Sequence, residues 1–353
     1  MQLKMMVAMS KKNLSEWLSF IEVAHPVKIE LGLDRVSRVA LELGFSSSRI
    51  NKLAGLDSRK KNHAAISDFL KNEAESITVA KKIVVVGGTN GKGSCVAVLE
   101  SILRRAGHSV GTYTSPHLIE YNERITINGE NANDLEICLA FEKIELARNS
   151  TSLSYFEFST LAAFLIMADA NLDFAILEIG LGGRLDAVNC INPDVSVVTT
   201  IALDHEEWLG YDIDAIGAEK AAIARKGIPL IYGDIEPISG VIKTTIAAGA
   251  DLLINGIDFH YEQFQVPAVS SLPPVSITCA LKAAMLLSPT LSAVELEEGL
   301  QLAQLDGRYQ EISLGGVIFV LDVAHNPQAS QLLAKRLAAN VSSGRISAVV
   351  GMM

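Results

Sequence analysis

The sequence predicts an α/β protein built on a parallel sheet, and three observations carry that prediction. Short β-branched runs alternate with helix-period stretches from residue 83 onward. A glycine-rich turn, Gly87–Gly93, joins the first such run to the first helix. Of 353 residues, 49% are apolar and only 20% charged, enough to bury a sizeable core, and the length suits two units rather than one.

Taken in order, Ile83–Val86, Val110–Thr114, Phe174–Ile179, Val195–Thr200 and Pro229–Tyr232 read as strands. Between the first two, Cys95, Val98, Leu99, Ile102 and Leu103 form one apolar helical stripe, which stops at Gly107. Upstream, Leu14–Gly44 and Ala64–Leu70 look helical, interrupted by Pro26 and by Ser46–Ser48. Downstream, Ser288–Gly307 reads as a polar helical segment. Val317–Val323, a helix from Pro327 to Ala339, and Ile346–Gly351 then read as the start of a second βαβ unit. The expected division is residues 1–295, with the helical lead-in, and residues 296–353.

The net charge of −10 argues against a sequence-independent grip on nucleic acid, whose phosphates demand a basic face. Cys95, Cys138, Cys190 and Cys279 are widely spaced and match neither a zinc site nor a disulfide framework, which fits a reducing cytoplasm. Met1–Ser10 lacks the long apolar region of a signal peptide, and no apolar run reaches the roughly 18 residues of a membrane span. A cytoplasmic monomer without membrane or nucleic-acid partners is expected.

The turn Val86-Gly87-Gly88-Thr89-Asn90-Gly91-Lys92-Gly93-Ser94 follows a strand and opens a helix. Glycines let successive N–H groups converge on an anion, the helix N-terminus adds partial positive charge, and Lys92 can neutralise phosphates. Thr89, Asn90, Gly91, Lys92, Gly93 and Ser94 are therefore the expected ATP-binding loop. The match to a phosphate-loop pattern is imperfect, because Val86 and Gly93 stand where the first glycine and the hydroxyl residue belong. On this motif alone, kinase, GTPase and ligase readings stay open. Glu178, ending a buried strand, lies at the sheet edge where ligands bind and suits a hard divalent cation. His205 should emerge at the same rim, as a metal ligand or as a hydrogen-bonding neighbour of one.

Further motifs follow in order: Thr114-Ser115-Pro116-His117-Leu118, then Glu178-Ile179-Gly180-Leu181-Gly182-Gly183-Arg184-Leu185-Asp186-Ala187, then Leu203-Asp204-His205, then Glu219-Lys220-Ala221. With Gly307-Arg308-Tyr309-Gln310 and Leu321-Asp322-Val323-Ala324-His325-Asn326-Pro327, they make the chain resemble the bifunctional dihydrofolate synthase/folylpolyglutamate synthase family of the Mur ligase superfamily. The implied fold is a Mur-ligase-like parallel-sheet domain carrying the phosphate loop, followed by an incomplete Rossmann-like C-terminal domain.

The resemblance implies an ATP- and Mg2+-dependent ligase that adds L-glutamate to dihydropteroate and to tetrahydrofolate through an acyl phosphate. It implies that Ser115, Glu178 and His205 bind magnesium, and that Lys220 is carbamylated and helps to hold the metal. Lys220 itself reads as part of a helix from an Asp214 N-cap to a Gly227 stop. The implied catalytic residues are Lys92, Lys220 and His205. Phe156 would stack on a pterin and Asp186 would accept hydrogen bonds from its edge, although an aromatic residue such as Phe156 serves equally well in a core. Glu157 and Arg184 are lesser candidates; Arg184 would meet a substrate carboxylate or pair with a neighbouring acid. Arg308 and Asp322, beside His325, would reach the ATP phosphates and ribose from the second unit. Ser276 stands where the family usually supplies an asparagine.

Two other readings stand beside this one: a Mur-type peptide ligase, and a non-catalytic nucleotide- or folate-binding protein. The family continues through further βα units after the position of Gly351. The expectation is therefore that the part up to about residue 290 folds, and that turnover is weak unless the remaining segment is supplied.

Overall fold

The computed structural model describes residues 12–27, 29–51, 76–266, 271–340 and 346–351. Eight strands make the central sheet: β1 (Lys82–Gly87), β2 (Val110–Tyr113), β3 (Ile125–Ile127), β4 (Glu130–Asn131), β5 (Phe174–Glu178), β6 (Val195–Val198), β7 (Pro229–Tyr232) and β8 (Asp251–Ile254). Across the sheet they run β4-β3-β2-β5-β1-β6-β7-β8. From β2 to β8 all neighbours are parallel, while β3 and β4 turn back antiparallel at one edge.

The central strands read as continuous apolar runs because both faces of the sheet are covered. In β1, Ile83 and Val85 face one core with β5 and helix α5 (Tyr155–Asp169), whereas Val84 and Val86 face the other with helix α3 (Lys92–Arg105). Helices α1 (Leu14–Val23), α2 (Asp34–Glu42) and α4 (Asp134–Arg148) add apolar faces to the first core. The second core is completed by α9 (Pro274–Leu287) and α10 (Ala293–Leu302). α10 runs through residues 295 and 296 and packs on α3, with Ser101 Oγ donating to the Gly299 carbonyl at 2.7 Å.

Helix ends follow side-chain capping. Asn13, Asn133, Ser154 and Ser292 each accept from the backbone three residues on, and Glu16, Glu136, Glu157 and Glu295 return the bond. Glu157 is thereby tied to the start of α5, and it also ion-pairs with Arg35 at 3.3 Å.

Several expectations need correction. After α6 (Glu206–Leu209), helix α7 (Ile213–Ala221) is capped by Asp212, not Asp214, and ends at Ala221, well short of Gly227. Asp214 instead accepts from the Gly240 N–H at 3.0 Å, tying α7 to α8 (Ser239–Ala248). Past α10 there is no second βαβ unit among the described residues. β9 (Gln310–Leu314) and β10 (Val317–Leu321) form an antiparallel pair instead, since Gly315 and Gly316 adopt positive φ and reverse the chain. Helix α11 (Pro327–Asn340) follows, but Ile346–Gly351 forms no strand. The anticipated helix Ala64–Leu70 lies outside the described residues.

Candidate active site

The parallel strands end along one rim, and the order of the sheet reverses at β1, between β5 and β6. Ligands of open α/β sheets bind at such a point. The Gly88–Gly91 loop leaves β1 there and enters α3 through Gly91, which is left-handed at φ 83°. A Cβ on Gly91 would come within 2.3 Å of Ser276 Oγ, so only glycine fits. Ser276 Oγ donates to the Gly91 carbonyl at 2.9 Å, which gives this serine a part in shaping the loop.

The segment after β6 supports the same loop. The Thr89 N–H donates to the Thr200 carbonyl at 2.7 Å, the Asn90 N–H donates to Thr200 Oγ1 at 3.1 Å, and Thr199 Oγ1 donates to the Asn90 carbonyl at 2.7 Å. These bonds fix the backbone before any anion arrives. Lys92 Nζ curls over it, donating to the Gly88 and Thr89 carbonyls at 3.3 and 3.2 Å. Ser94 Oγ is buried without a hydrogen-bond partner.

Glu178, at the end of β5, is only 5% exposed. Its carboxylate accepts from the Ser115 N–H at 3.1 Å. Burial raises its pKa, opposed by Lys92, by that N–H and by Arg308 and Arg124. Lys220 is buried on α7, and its Nζ donates to the Gly88 carbonyl at 3.1 Å. Burial first, and the charge of Lys92 second, push its pKa down to about 7, against the pull of Asp204, Asp186 and Glu219. His205 lies on the same rim in a left-handed conformation. Partial desolvation lowers its pKa, Asp204 opposes this, and Lys220 and Lys92 reinforce it.

Magnesium takes oxygen ligands and retains several waters. The buried carboxylate of Glu178, which accepts from the Ser115 N–H, and the orphaned Ser94 hydroxyl suit such an ion. Among the described residues no cluster of three or more His, Cys, Asp or Glu side chains forms a metal cage.

Phe156, in the first turn of α5, packs its ring against the loop after β5, so close that a Cβ on Gly180 would meet its Cζ at 2.6 Å. Its ring sits 5.9 Å from Tyr113. Asp186 is 2% exposed, and its carboxylate accepts from the N–H groups of Gly180, Leu181 and Val188 at 3.0, 2.9 and 2.9 Å. Its first duty is to brace this loop. Arg184 pairs with Glu219 at 2.8 Å, the second of its two expected roles.

Arg308 is half-buried, and its charge acts on Glu178 and Asp322. Asp322 is engaged by the N–H groups of Tyr309 and Ala324, at 2.9 and 2.8 Å. The link to the phosphate loop is made instead by Asn326, which the sequence reading gave no role. Its Nδ2 donates to Asn90 Oδ1 at 2.8 Å and to Asp204 Oδ2 at 3.1 Å. A cavity of about 490 Å³, lined by Asp204, His205, Trp208, Tyr211 and His325 among others, opens beside this link.

Arg124 was also missed. It is 8% exposed, its guanidinium lies 5.6 Å from the ring centres of both Tyr121 and Tyr155, and its Nε donates to His117 Nδ1 at 2.8 Å. A sequence signal was available in Glu123-Arg124, two charged residues just ahead of the strand Ile125–Ile127.

Comparison with known proteins identifies relatives of the chain and of its fold. Residues 86–264 match the Mur ligase middle domain. The dihydrofolate synthase/folylpolyglutamate synthase of Escherichia coli (strain K12) is 37% identical over 96% of this chain and 76% of its own length. The structure of E. coli FolC in complex with DHPP and ADP superposes with a TM-score of 0.83 at 36% identity, covering 95% of this chain and 77% of that one. The bifunctional folylpolyglutamate synthase/dihydrofolate synthase of Yersinia pestis, solved with AMPPNP and Mn ion, gives 0.79 at 38% identity, covering 94% and 76%.

Proposed function

The chain belongs to the bifunctional dihydrofolate synthase/folylpolyglutamate synthase family and is an ATP-dependent glutamate ligase of that type; we propose that Lys92, Glu178 and Lys220 carry its chemistry. The observation behind this assignment is the convergence, at one sheet rim, of the braced phosphate loop, two lysines on the Gly88 carbonyl and a buried carboxylate.

In this reading the loop N–H groups and Lys92 hold the β- and γ-phosphates of ATP. The carboxylate of a dihydropteroate or tetrahydrofolate substrate attacks the γ-phosphorus, giving an acyl phosphate and ADP. The amine of L-glutamate then attacks the acyl carbon, loses a proton and expels inorganic phosphate. Positioning and fixed charge supply most of the acceleration, so no covalent protein nucleophile is needed. Glu178, Ser115 and His205, with Ser94 at hand, would hold magnesium, which would supply neutralisation of the phosphate charge. Phe156 lines the pterin pocket, with Asp186 holding its loop in shape. Arg308 and Asp322 approach the nucleotide from the far side.

Lys220 reacts with CO2 in this scheme. A neutral amine adds to carbon dioxide and releases one proton, and the carbamate so formed is an anion able to sit beside a cation. Burial supports the step, because a pKa near 7 leaves much of the amine uncharged at neutral pH. We further propose a monomer acting on small molecules in the cytoplasm; among the described residues no helix is long and apolar enough to cross a membrane. The decisive assay is glutamate-dependent ADP release with dihydropteroate and then with tetrahydrofolate. Release with neither substrate would overturn the assignment.

A further inference from the structure

Arg124 is a buried cation that makes no ion pair with a carboxylate among the described residues. Its guanidinium lies 5.6 Å from the ring centres of both Tyr121 and Tyr155, which meet edge to face 6.1 Å apart and so flank it from one side, and Nε is spent on His117. Among the described residues none pairs its terminal amino groups with an acid. A guanidinium withdrawn from water without a counter-ion is costly, so such a site favours a ligand anion. Its own loop is rigid: the Glu123 carboxylate accepts from the N–H groups of Leu118, Ile119 and Glu120 at 2.7, 2.9 and 2.7 Å. The Arg124 carbonyl in turn accepts from the Thr114 N–H at 2.9 Å.

The same contact settles the state of His117. Arginine Nε–H only donates, so His117 Nδ1 must accept, and the ring proton resides on Nε2. His117 thus anchors the guanidinium through Nδ1, while its Nε2–H points away from it.

Position selects the ligand. On one side, His117 is two residues from Ser115, whose N–H holds Glu178, and the charge of Arg124 acts on that carboxylate. On the other, Tyr155 adjoins Phe156 and the Gly180 loop. A folate-type acceptor must span the same interval, with its ring system at the aromatic pocket and its reacting carboxylate at the phosphate rim. We propose that Arg124, held in place by His117 Nδ1, binds the acceptor carboxylate that is to be phosphorylated, fixing one oxygen so that the other faces the γ-phosphate. This rests on the ligase reading above. The two terminal amino groups of the guanidinium can both donate to that one oxygen, which leaves the other free.

The test compares calorimetric binding of dihydropteroate and of its uncharged carboxamide, with ADP and magnesium present, to the full chain and to its Arg124→Gln variant. Wild type should prefer the acid by roughly ten- to a hundredfold, the scale of a charge-assisted hydrogen-bond pair. In Arg124→Gln the acid and the amide should bind alike while ADP affinity is unchanged. Discrimination as strong as in wild type would overturn the proposal. If Arg124→Gln does not fold, His117→Gln, which keeps the cation but alters its anchor, should still weaken the preference for the acid; an unaltered preference there would overturn it equally. Failure of wild type to bind dihydropteroate at all would instead remove the ligase reading, and this inference with it.

Discussion

Lys92 and Lys220 donate to the same acceptor, the carbonyl of Gly88, at 3.3 and 3.1 Å. One amine comes from the helix after β1 and the other from α7, so two ammonium groups meet at the turn where a nucleotide's phosphates would lie. Their mutual repulsion is one reason that Lys220 is held near neutrality.

The pH dependence of stability should expose this. The Lys220 pKa falls from 10.5 to about 7 on folding, so between these values the unfolded chain binds more protons, and stability rises with pH across that window. Below about 7 the full cost of burying the ammonium is present. Lys220→Met should therefore raise the Tm at pH 6, with a smaller gain at pH 9, while abolishing turnover. Lys220→Ala should regain some activity with a small carboxylic acid. Equal Tm differences at both pH values would discount the buried cation, and an unmodified Nζ by mass spectrometry of active enzyme would discount the carbamate.

Lys92→Ala removes the side-chain cation of the phosphate loop. Turnover should fall below about a tenth of wild type, since one preorganised charge contributes several kcal/mol to phosphoryl transfer. The Tm should stay close to wild type. Steady-state ADP release and thermal unfolding check both halves.

Glu178→Gln keeps the shape of the side chain but removes its charge. The magnesium concentration for half-maximal activity should rise by about tenfold or more. An unchanged titration would take Glu178 out of the metal site. Because burial disfavours its carboxylate, the variant should unfold no earlier than wild type.

Asp186→Asn should loosen the pterin loop. The amide turns an NH2 group toward one or more backbone N–H donors, leaving buried donors unmatched at about 1–3 kcal/mol each. Burial raises the Asp186 pKa from 3.8 to about 6, against the pull of the N–H groups of Leu181, Val188 and Gly180. In that window the folded state holds a proton that the unfolded chain has released, so this group's contribution to stability falls as pH rises from about 4 to about 6. Comparing the pH slope of the Tm in wild type and variant isolates the effect.

The parts of this fold that could be read in advance were those with strong local signals. β1, the glycine turn and α3 are continuous in sequence, and their apolar stripes match their burial on both faces. β3 and β4, at three and two residues, carry too little alternation to register and exist through pairing with β2. Ile346–Gly351 shows the converse: β-branched residues without a partner make no strand. At the site, Lys92, Glu178 and Lys220 sit in short motifs, but Arg124 owes its setting to Tyr155, on a different helix. Asp186 was legible as a polar residue in a glycine-rich loop. That its acceptors would be occupied by backbone N–H groups depends on the path of the loop, which spacing does not reveal.

The amide pair between Asn90 and Asn326 joins residues 236 positions apart. Asn90 belongs to the phosphate loop, while Asn326 Oδ1 accepts from the Ala329 N–H in the first turn of α11 at 3.0 Å. The pair is thus a thermodynamic coupling as well as a contact. A nucleotide that strengthens or weakens it changes the free energy of holding the α11 turn in place, and whatever steadies that turn changes nucleotide affinity by the same factor. ATP binding and the docking of this distant helix are therefore two readings of one equilibrium.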